Sequence, residues 1–255
     1  MRVVSAGAGA LAALSVPGEG RVLASFSKAC YLSLPAGLVA LAAAGVQPGP
    51  LHAVLDGPVP DLAVGDPASV DGPWLRVGDL CMLAGDRAAW RGWVPPPSDL
   101  PAAVPLLHRV LAPVAAGAKV PAARAAAARE CLREGDVRGA AQALAGAGPG
   151  LTPSGDDALA GILFARRALG GQESEAPLAA VAAEARTTAL AAAFLHWAAR
   201  GQSLACVHDL LAAATRGDRA AAEGAARRLA GVGHSSGADL ALGLRWGLAG
   251  PVLPG

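Results

Sequence analysis

The sequence has few cysteines and few aromatic residues: 4 Cys, 5 Trp, 1 Tyr and 3 Phe in 255 residues. The cysteines Cys30, Cys81, Cys131 and Cys206 are scattered, without a C-x-x-C pair or a histidine at metal-ligand spacing. We therefore expect neither a disulfide framework nor a structural zinc site, and we predict a reduced, cytoplasmic location. A chain of this length buries enough apolar surface to fold without such cross-links.

The sequence also lacks a surplus of charge and a long uninterrupted apolar segment. Its net charge is +1, and no Lys/Arg stripe interleaved with aromatics is visible, so we expect no nucleic-acid partner. The uncharged run Ala29–Leu55 contains Pro35, Pro48 and Pro50, which exclude a membrane-spanning helix there. Met1–Val16 resembles a secretory signal only weakly, and we do not expect it to be one. The default partner is a small-molecule substrate.

The pattern of apolar residues changes near residue 95. Short apolar runs separated by turn residues come first: Val22–Leu34, Leu38–Ala44, Leu51–Leu55, Trp74–Val77 and Leu80–Leu83. They predict a β-rich domain over residues 1–95, arranged as a small antiparallel sheet or a partial barrel. The segment Pro95–Asp99 marks a boundary, because successive prolines continue neither a strand nor a helix interior.

Helical periodicity and abundant alanine follow from residue 101 to residue 255. The expected helices are 101–116, 120–134, 136–146, 155–170, 177–200, 203–215, 217–230 and 237–248. They predict an α-helical bundle domain, and the fold class is therefore α+β.

One motif occurs twice at predicted helix starts. The first motif, residues 146–157, and the second motif, residues 231–239, share the pattern S-G-x-D-x-x-x-G. The shared residues are Ser154, Gly155, Asp157 and Gly161 in the first copy, and Ser236, Gly237, Asp239 and Gly243 in the second. Serine and aspartate at this spacing are typical of helix capping, which stabilises a helix by about 1 kcal/mol.

Capping does not account for the glycines. Glycine loops let backbone N–H groups approach a ligand. Gly161 and Gly243 lie one turn beyond Asp157 and Asp239, so they are expected to let two helices touch and to bring both acids around one cavity. A bare phosphate would be repelled by these acids. We favour a substrate whose amide donors face the carboxylates. Two alternatives are a Mg²⁺ ion that bridges the acids to an anion, and an aspartate that acts as a base. No cofactor is firmly indicated.

These considerations define the candidate site. The catalytic candidates are His234, Asp157 and Asp156. The substrate-binding candidates are Gly148, Gly150, Thr152, Ser154, Gly155, Gly233, Ser235, Ser236, Gly237 and Asp239. His234 is chosen among the histidines because it lies inside the second motif, where a side chain that titrates near neutrality is suited to proton transfer.

Residues 148–161 and 231–243 together resemble the signature stretches of the bacterial domain-of-unknown-function family 2877, whose branches include the AllH-type subunit of oxamate carbamoyltransferase. Phe26–Leu32 is similar to a weaker N-terminal stretch of that family. The resemblance implies carbamoyl transfer between oxalurate, phosphate, oxamate and carbamoyl phosphate in purine and allantoin breakdown, together with partner subunits. Lys28 and the glycine loops would then hold the phosphate.

Three classes of function follow. The leading interpretation is an enzyme, or enzyme subunit, of carbamoyltransferase type. The second is a noncatalytic binding or assembly subunit of a multisubunit complex, and a homo-oligomer also stays open. The third is a metal-assisted hydrolase, because G-D-D at a helix start is similar to the ADP-ribosylglycohydrolases, although their further acidic motifs are missing.

Overall fold

The structure, a computed structural model, describes residues 1–85 and 87–249. These residues divide into two compact units, the first comprising Met1–Arg91 and the second beginning at Gly92. The first unit is built on a curled β-sheet and the second is mostly helical, which confirms the predicted α+β class. Each unit buries a hydrophobic core of its own.

The strands of the first unit form one sheet. In chain order they are β1 (Val3–Gly7), β2 (Gly18–Ser25), β3 (Ala29–Leu34), β4 (Gly37–Ala42), β5 (His52–Leu55), β6 (Pro67–Asp71), β7 (Trp74–Val77), β8 (Leu80–Leu83) and β9 (Ala88–Trp90). A short helix, α1 (Ala8–Ala13), separates β1 from β2. The strands are ordered β8-β7-β6-β2-β3-β4-β5-β1-β9 in the described part of the chain.

The sheet is mixed, which differs from the antiparallel sheet that was one of the two predicted arrangements. β5 lies parallel to β4, and β9 lies parallel to β1. β4 and β5 are parallel because residues 43–51 carry the chain back to the end of the sheet at which β4 began, and β5 starts there. A bridge between Arg2 and Leu83 links the start of the chain to β8, and the sheet is correspondingly curled.

Most of the helices predicted from the sequence are present in the second unit. They are α2 (Leu100–Ala115), α3 (Ala122–Arg133), α4 (Val137–Leu144), α5 (Ser154–Gly170), α6 (Glu175–Glu184), α7 (Ala189–Ala198), α8 (Ala205–Thr215), α9 (Arg219–Ala230) and α10 (Ser236–Ala249). Within residues 1–85 and 87–249, no helix is both long and apolar enough to cross a membrane.

The single helix predicted for 177–200 is wrong, because the chain forms α6 and α7 there. Ala185 ends α6 with an extended ψ of 119°. Thr188 then caps α7, since its side chain accepts a hydrogen bond from the Ala191 N–H at 3.1 Å. A threonine that caps a new helix competes with continuation of the preceding one.

The second unit contains two copies of one three-helix arrangement. α3, α4 and α5 form the first copy, and α8, α9 and α10 form the second. Gly135 and Gly217 have φ values of +80° and +71° in the turn between the first two helices of each copy. Asp136 and Asp218 follow them and cap the next helix. Corresponding residues are 82 positions apart, since 217 − 135 and 236 − 154 both equal 82. The repeated motif is therefore part of a longer structural repeat.

α5 and α10 contact each other through their glycines. A Cβ added to Gly243 would overlap the carbonyl oxygen of Ala158, and one added to Gly161 would overlap the backbone of α10. A Cβ on Gly247 would lie 2.9 Å from the carbonyl oxygen of Ile162. The expectation that Gly161 and Gly243 let two helices touch is confirmed. Because the pairs 158/243 and 162/247 advance together, the two helices run in the same direction.

Candidate functional site

The starts of α5 and α10 lie at the same end of the helix pair, because the helices are parallel and in contact. The first backbone N–H groups of a helix have no partner within the helix and give its start a partial positive charge. Asp157 lies in the first turn of α5, and Asp239 lies in the first turn of α10. We call these two residues the carboxyl pair.

Asp157 is linked to the other helix start by hydrogen bonding and by charge. Burial raises the pKa of Asp157 to about 8, and the charges of Asp239 and Asp156 add to this rise. A hydrogen bond with the Ser236 side chain opposes it. The second carboxyl oxygen of Asp157, Oδ2, is buried without a hydrogen-bond partner among the described residues.

Asp239 is completely buried. Its Oδ1 accepts a hydrogen bond from the backbone N–H of Lys119 at 2.6 Å, and the connection between α2 and α3 supplies that residue. Its Oδ2 has no hydrogen-bond partner within residues 1–85 and 87–249. The carboxyl pair therefore presents two buried oxygens whose hydrogen-bonding capacity is unused, which is costly unless a ligand or water supplies donors.

Asp156 has a different environment from its neighbour. Its Oδ1 accepts from the Gly146 N–H at 3.0 Å, and its Oδ2 accepts from the Thr187 hydroxyl at 2.5 Å. Burial raises the pKa of Asp156, and these two hydrogen bonds oppose the rise. Both oxygens are thus used to hold the first motif's loop to the segment between α6 and α7. This geometry fits a positioning residue better than a proton-transfer residue.

The capping prediction for Ser154 is wrong. Ser154 is the first residue of α5, and the N-cap position is occupied by Pro153, which offers no side-chain cap. Because Pro153 occupies the N-cap position, Ser154 falls one residue inside the helix, past the position from which a serine side chain caps. In the second motif the Ser236 side chain bonds to Asp157 of the other helix. The serine side chains of the two motifs therefore have unequal roles.

Gly155 and Gly237 pack against protein backbone. A Cβ on Gly155 would overlap the Leu144 carbonyl oxygen at the end of α4, and one on Gly237 would overlap the Leu229 carbonyl oxygen near the end of α9. The Gly155 N–H also donates to the Ala147 carbonyl at 2.8 Å. These glycines seat each helix start against the preceding helix, which is a packing requirement that repeats in both copies.

The other loop glycines adopt conformations that favour glycine. Gly148, Gly150 and Gly233 have φ values of +125°, +93° and +60°, and all three are exposed. A Cβ on Gly148 would lie 3.0 Å from the backbone nitrogen of Ser154, whereas the Cβ direction of Gly150 is open. The exposed loops border the two helix starts.

The remaining predicted residues lie at different depths. Thr152 and Ser235 are half-buried, and the Ser235 carbonyl accepts from the Asp239 N–H at 2.9 Å. His234 is exposed in the turn before α10. Lys28 is exposed in the connection between β2 and β3 of the first unit.

Lys119 and Thr187 contact the acids but were not among the predicted site residues. Lys119 contributes its backbone N–H, which no side-chain pattern reveals. Thr187 lies outside both motifs, and its only local signal is the run Arg186-Thr187-Thr188, which is also typical of a helix break. No group of three or more His, Cys, Asp or Glu side chains is arranged to hold a metal ion in the described part of the chain.

The second unit is thus a helical unit with paired Gly-Asp helix starts. Residues 144–248 match the model of the family described as "Oxamate carbamoyltransferase subunit AllH". The match runs from the end of α4 almost to the end of α10 and includes both motifs. This part of the chain is thus similar to the AllH family, in agreement with the resemblance. The match does not reach Phe26–Leu32. No curated protein and no solved structure matches the chain.

Proposed function

We propose that this chain is a subunit of a carbamoyltransferase-type enzyme and that the carboxyl pair binds the amide or ureido group of a small carboxylate such as oxamate or oxalurate. The observation that carries the proposal is the presence of two buried carboxyl oxygens, Asp157 Oδ2 and Asp239 Oδ2, without hydrogen-bond partners in the described part of the chain.

A primary amide complements a carboxyl pair that holds one proton. Burial and the charges of neighbouring carboxylates favour the protonated form of an acid. The raised pKa makes Asp157 the neutral member near pH 7. A neutral carboxyl group donates to a carbonyl oxygen, and a carboxylate accepts from an N–H group. An amide presents both groups side by side.

The same arrangement suits carbamoyl transfer. When a phosphate oxygen attacks the carbamoyl carbon of oxalurate, the C–N bond to the oxamate nitrogen breaks, and that nitrogen must gain a proton. The Asp157 carboxyl is suited to supply it, because a general acid works best when its pKa, here about 8, lies close to the operating pH. In this proposal Asp239 orients the amide through its free oxygen, and Asp156 holds the surrounding loop.

The predicted loop contacts belong to the same proposal. The exposed backbone at Gly148, Gly150 and Gly233 would contact the substrate, and His234 at the rim would take part in proton transfer. Lys28 would contact a phosphate, as the resemblance implies. The four cysteines are free, which is compatible with the cytoplasmic location proposed for purine breakdown.

Oxamate binding tests the proposed site. We expect the purified chain to bind oxamate, and Asp157→Leu and Asp239→Asn each to weaken binding about 10-fold or more. The first variant removes the proposed neutral donor and the second removes the carboxylate acceptor, each at a cost of about 1.5–3 kcal/mol. Isothermal titration calorimetry measures the affinity. Asp209→Asn is the matched control, because this exposed aspartate forms an ion pair with Arg228 outside both motifs.

Oxalate provides a control ligand. It replaces the amide of oxamate with a second carboxylate and is expected to bind less tightly to the carboxyl pair. Equal affinity of the wild-type chain for oxalate and oxamate, or an unchanged oxamate affinity in both variants, would refute amide recognition.

A noncatalytic subunit is the second candidate, because the description of the matching family names a subunit. If that interpretation is right, the chain alone should show no turnover of carbamoyl phosphate with oxamate. Our proposal of a carboxyl pair that takes part in the chemistry predicts slow but measurable turnover by the chain alone, which Asp157→Asn abolishes. Oxalurate formation is followed by chromatography, and an inactive wild-type chain that still binds oxamate would favour the noncatalytic candidate.

A further inference from the structure

A cleft of about 650 Å³ lies beside the first motif and contains neither member of the carboxyl pair among its lining residues. Its lining includes Arg124 from α3, Arg138 from α4 and Arg186 just after α6. Three separate elements therefore direct arginines to one depression, which we call the arginine cleft. The rest of the lining is mainly small and apolar, with Ala141 on α4 and Ala145 directly after it.

The charges in the arginine cleft do not cancel. Glu184 is the acid in the lining, and it pairs with Arg138 at 3.2 Å. Within residues 1–85 and 87–249, the side chains of Arg124 and Arg186 have neither an ion pair nor a hydrogen bond. Two positive charges remain once the Arg138–Glu184 pair is counted as neutral. A ligand that neutralises these two positive charges therefore carries a charge of −2.

We propose that the arginine cleft binds a small molecule through a phosphate-type dianion held by Arg124 and Arg186. Guanidinium groups present planar sets of N–H donors that match phosphate oxygens two at a time. A compact tetrahedral dianion offers its whole charge at one place in the cleft, whereas a dicarboxylate divides its charge between two ends. The volume of the cleft exceeds that of inorganic phosphate and leaves room for a substituent against the alanines.

The position of the cleft relates it to the first motif. Arg186 precedes Thr187, whose hydroxyl donates to Asp156. Ala145 precedes Gly146, whose N–H also donates to Asp156. The two walls of the cleft are thus fixed to one carboxylate that immediately precedes Asp157 in α5. This inference goes beyond the proposed amide site and does not depend on it.

Titration with inorganic phosphate at constant ionic strength tests the proposal. We expect saturable binding and a rise in melting temperature for the wild-type chain, because a ligand that binds only the folded state stabilises it. Arg124→Gln and Arg186→Gln should each raise the Kd for phosphate about 10-fold or more. Arg227→Gln, an exposed arginine on α9 outside the cleft, should bind phosphate like the wild type.

The variants of the two sites separate the two proposals. Asp157→Asn should keep phosphate binding, and Arg124→Gln should keep oxamate binding. Chloride and malonate serve as competing anions. The proposal is overturned if phosphate binding does not saturate, if malonate binds as tightly as phosphate, or if Arg227→Gln weakens binding as much as the two cleft variants do.

Discussion

Replacing Gly243 with alanine is expected to destabilise the helical unit by about 3 kcal/mol or more. The added Cβ would overlap the carbonyl oxygen of Ala158, which belongs to the backbone of α5 and cannot rotate away. α10 must therefore move away from α5, and the packing of Gly247 against Ile162 one turn further along is lost as well. The melting temperature should fall by about 6 °C or more.

Gly224→Ala is the matched control for this prediction. Gly224 is also a helical glycine of the second unit, but a Cβ added there would meet only the ends of two arginine side chains, at 3.8 and 4.0 Å. Alanine has a higher helix propensity than glycine, so this variant should gain about 1 kcal/mol. Circular dichroism melting of both variants provides the comparison. Equal melting temperatures for the two variants would show that the contact between α5 and α10 is not close.

Asp157→Asn is expected to change how stability depends on pH. The pKa of Asp157 is about 8 in the folded chain and 3.8 as the ordinary value. Between these values the folded state binds more protons than the unfolded state, so the contribution of Asp157 to stability falls as pH rises from about 4 to 8. Asparagine does not titrate, so a chain with asparagine at this position does not lose stability in this way as pH rises. The variant should therefore gain stability relative to the wild type as pH rises.

The measured quantity is the difference in melting temperature between Asp157→Asn and the wild type at pH 5 and at pH 8.5. Titrating groups that do not interact with Asp157, including the buried His52 and His208, contribute equally to both proteins and cancel in this difference. We expect the difference to grow by several degrees, because each kcal/mol corresponds to about 2–4 °C in a domain of this size. Parallel curves would show that Asp157 is not held in an environment that opposes its charge.

Local sequence signals were sufficient for most helices and for the contact between the two motif helices. Alanine-rich segments with periodic leucines have high helix propensity, and glycines four residues after each aspartate indicated where the helices would touch. The break before α7 was missed because the alanines on both sides outweighed Thr188, whose capping role appears only when the next helix turns away. The parallel pairing of β4 and β5 depends on the path of the connection between them, residues 43–51, and neither strand carries a signature of it.

The chemistry of the site was predictable only in outline. The sequence placed Asp157 and Asp239 at helix starts, but it did not show that the Ser236 side chain bonds to Asp157 of the other helix. It also did not distinguish Asp156 from Asp157. One of these neighbours uses both oxygens for hydrogen bonds within the protein, and the other keeps one buried oxygen unused. That difference depends on Gly146 and Thr187, which approach from other segments.

The separation of 82 positions between the two acids also affects how the helical unit opens and closes. Neither helix start can hold the carboxyl pair alone, and α6 to α9 lie between them in the chain. Fraying at either start would therefore separate the pair and release any molecule held by both acids. By mass action, such a molecule suppresses both opening events together. Two segments remote in sequence would then fluctuate as one cooperative element whenever the site is filled.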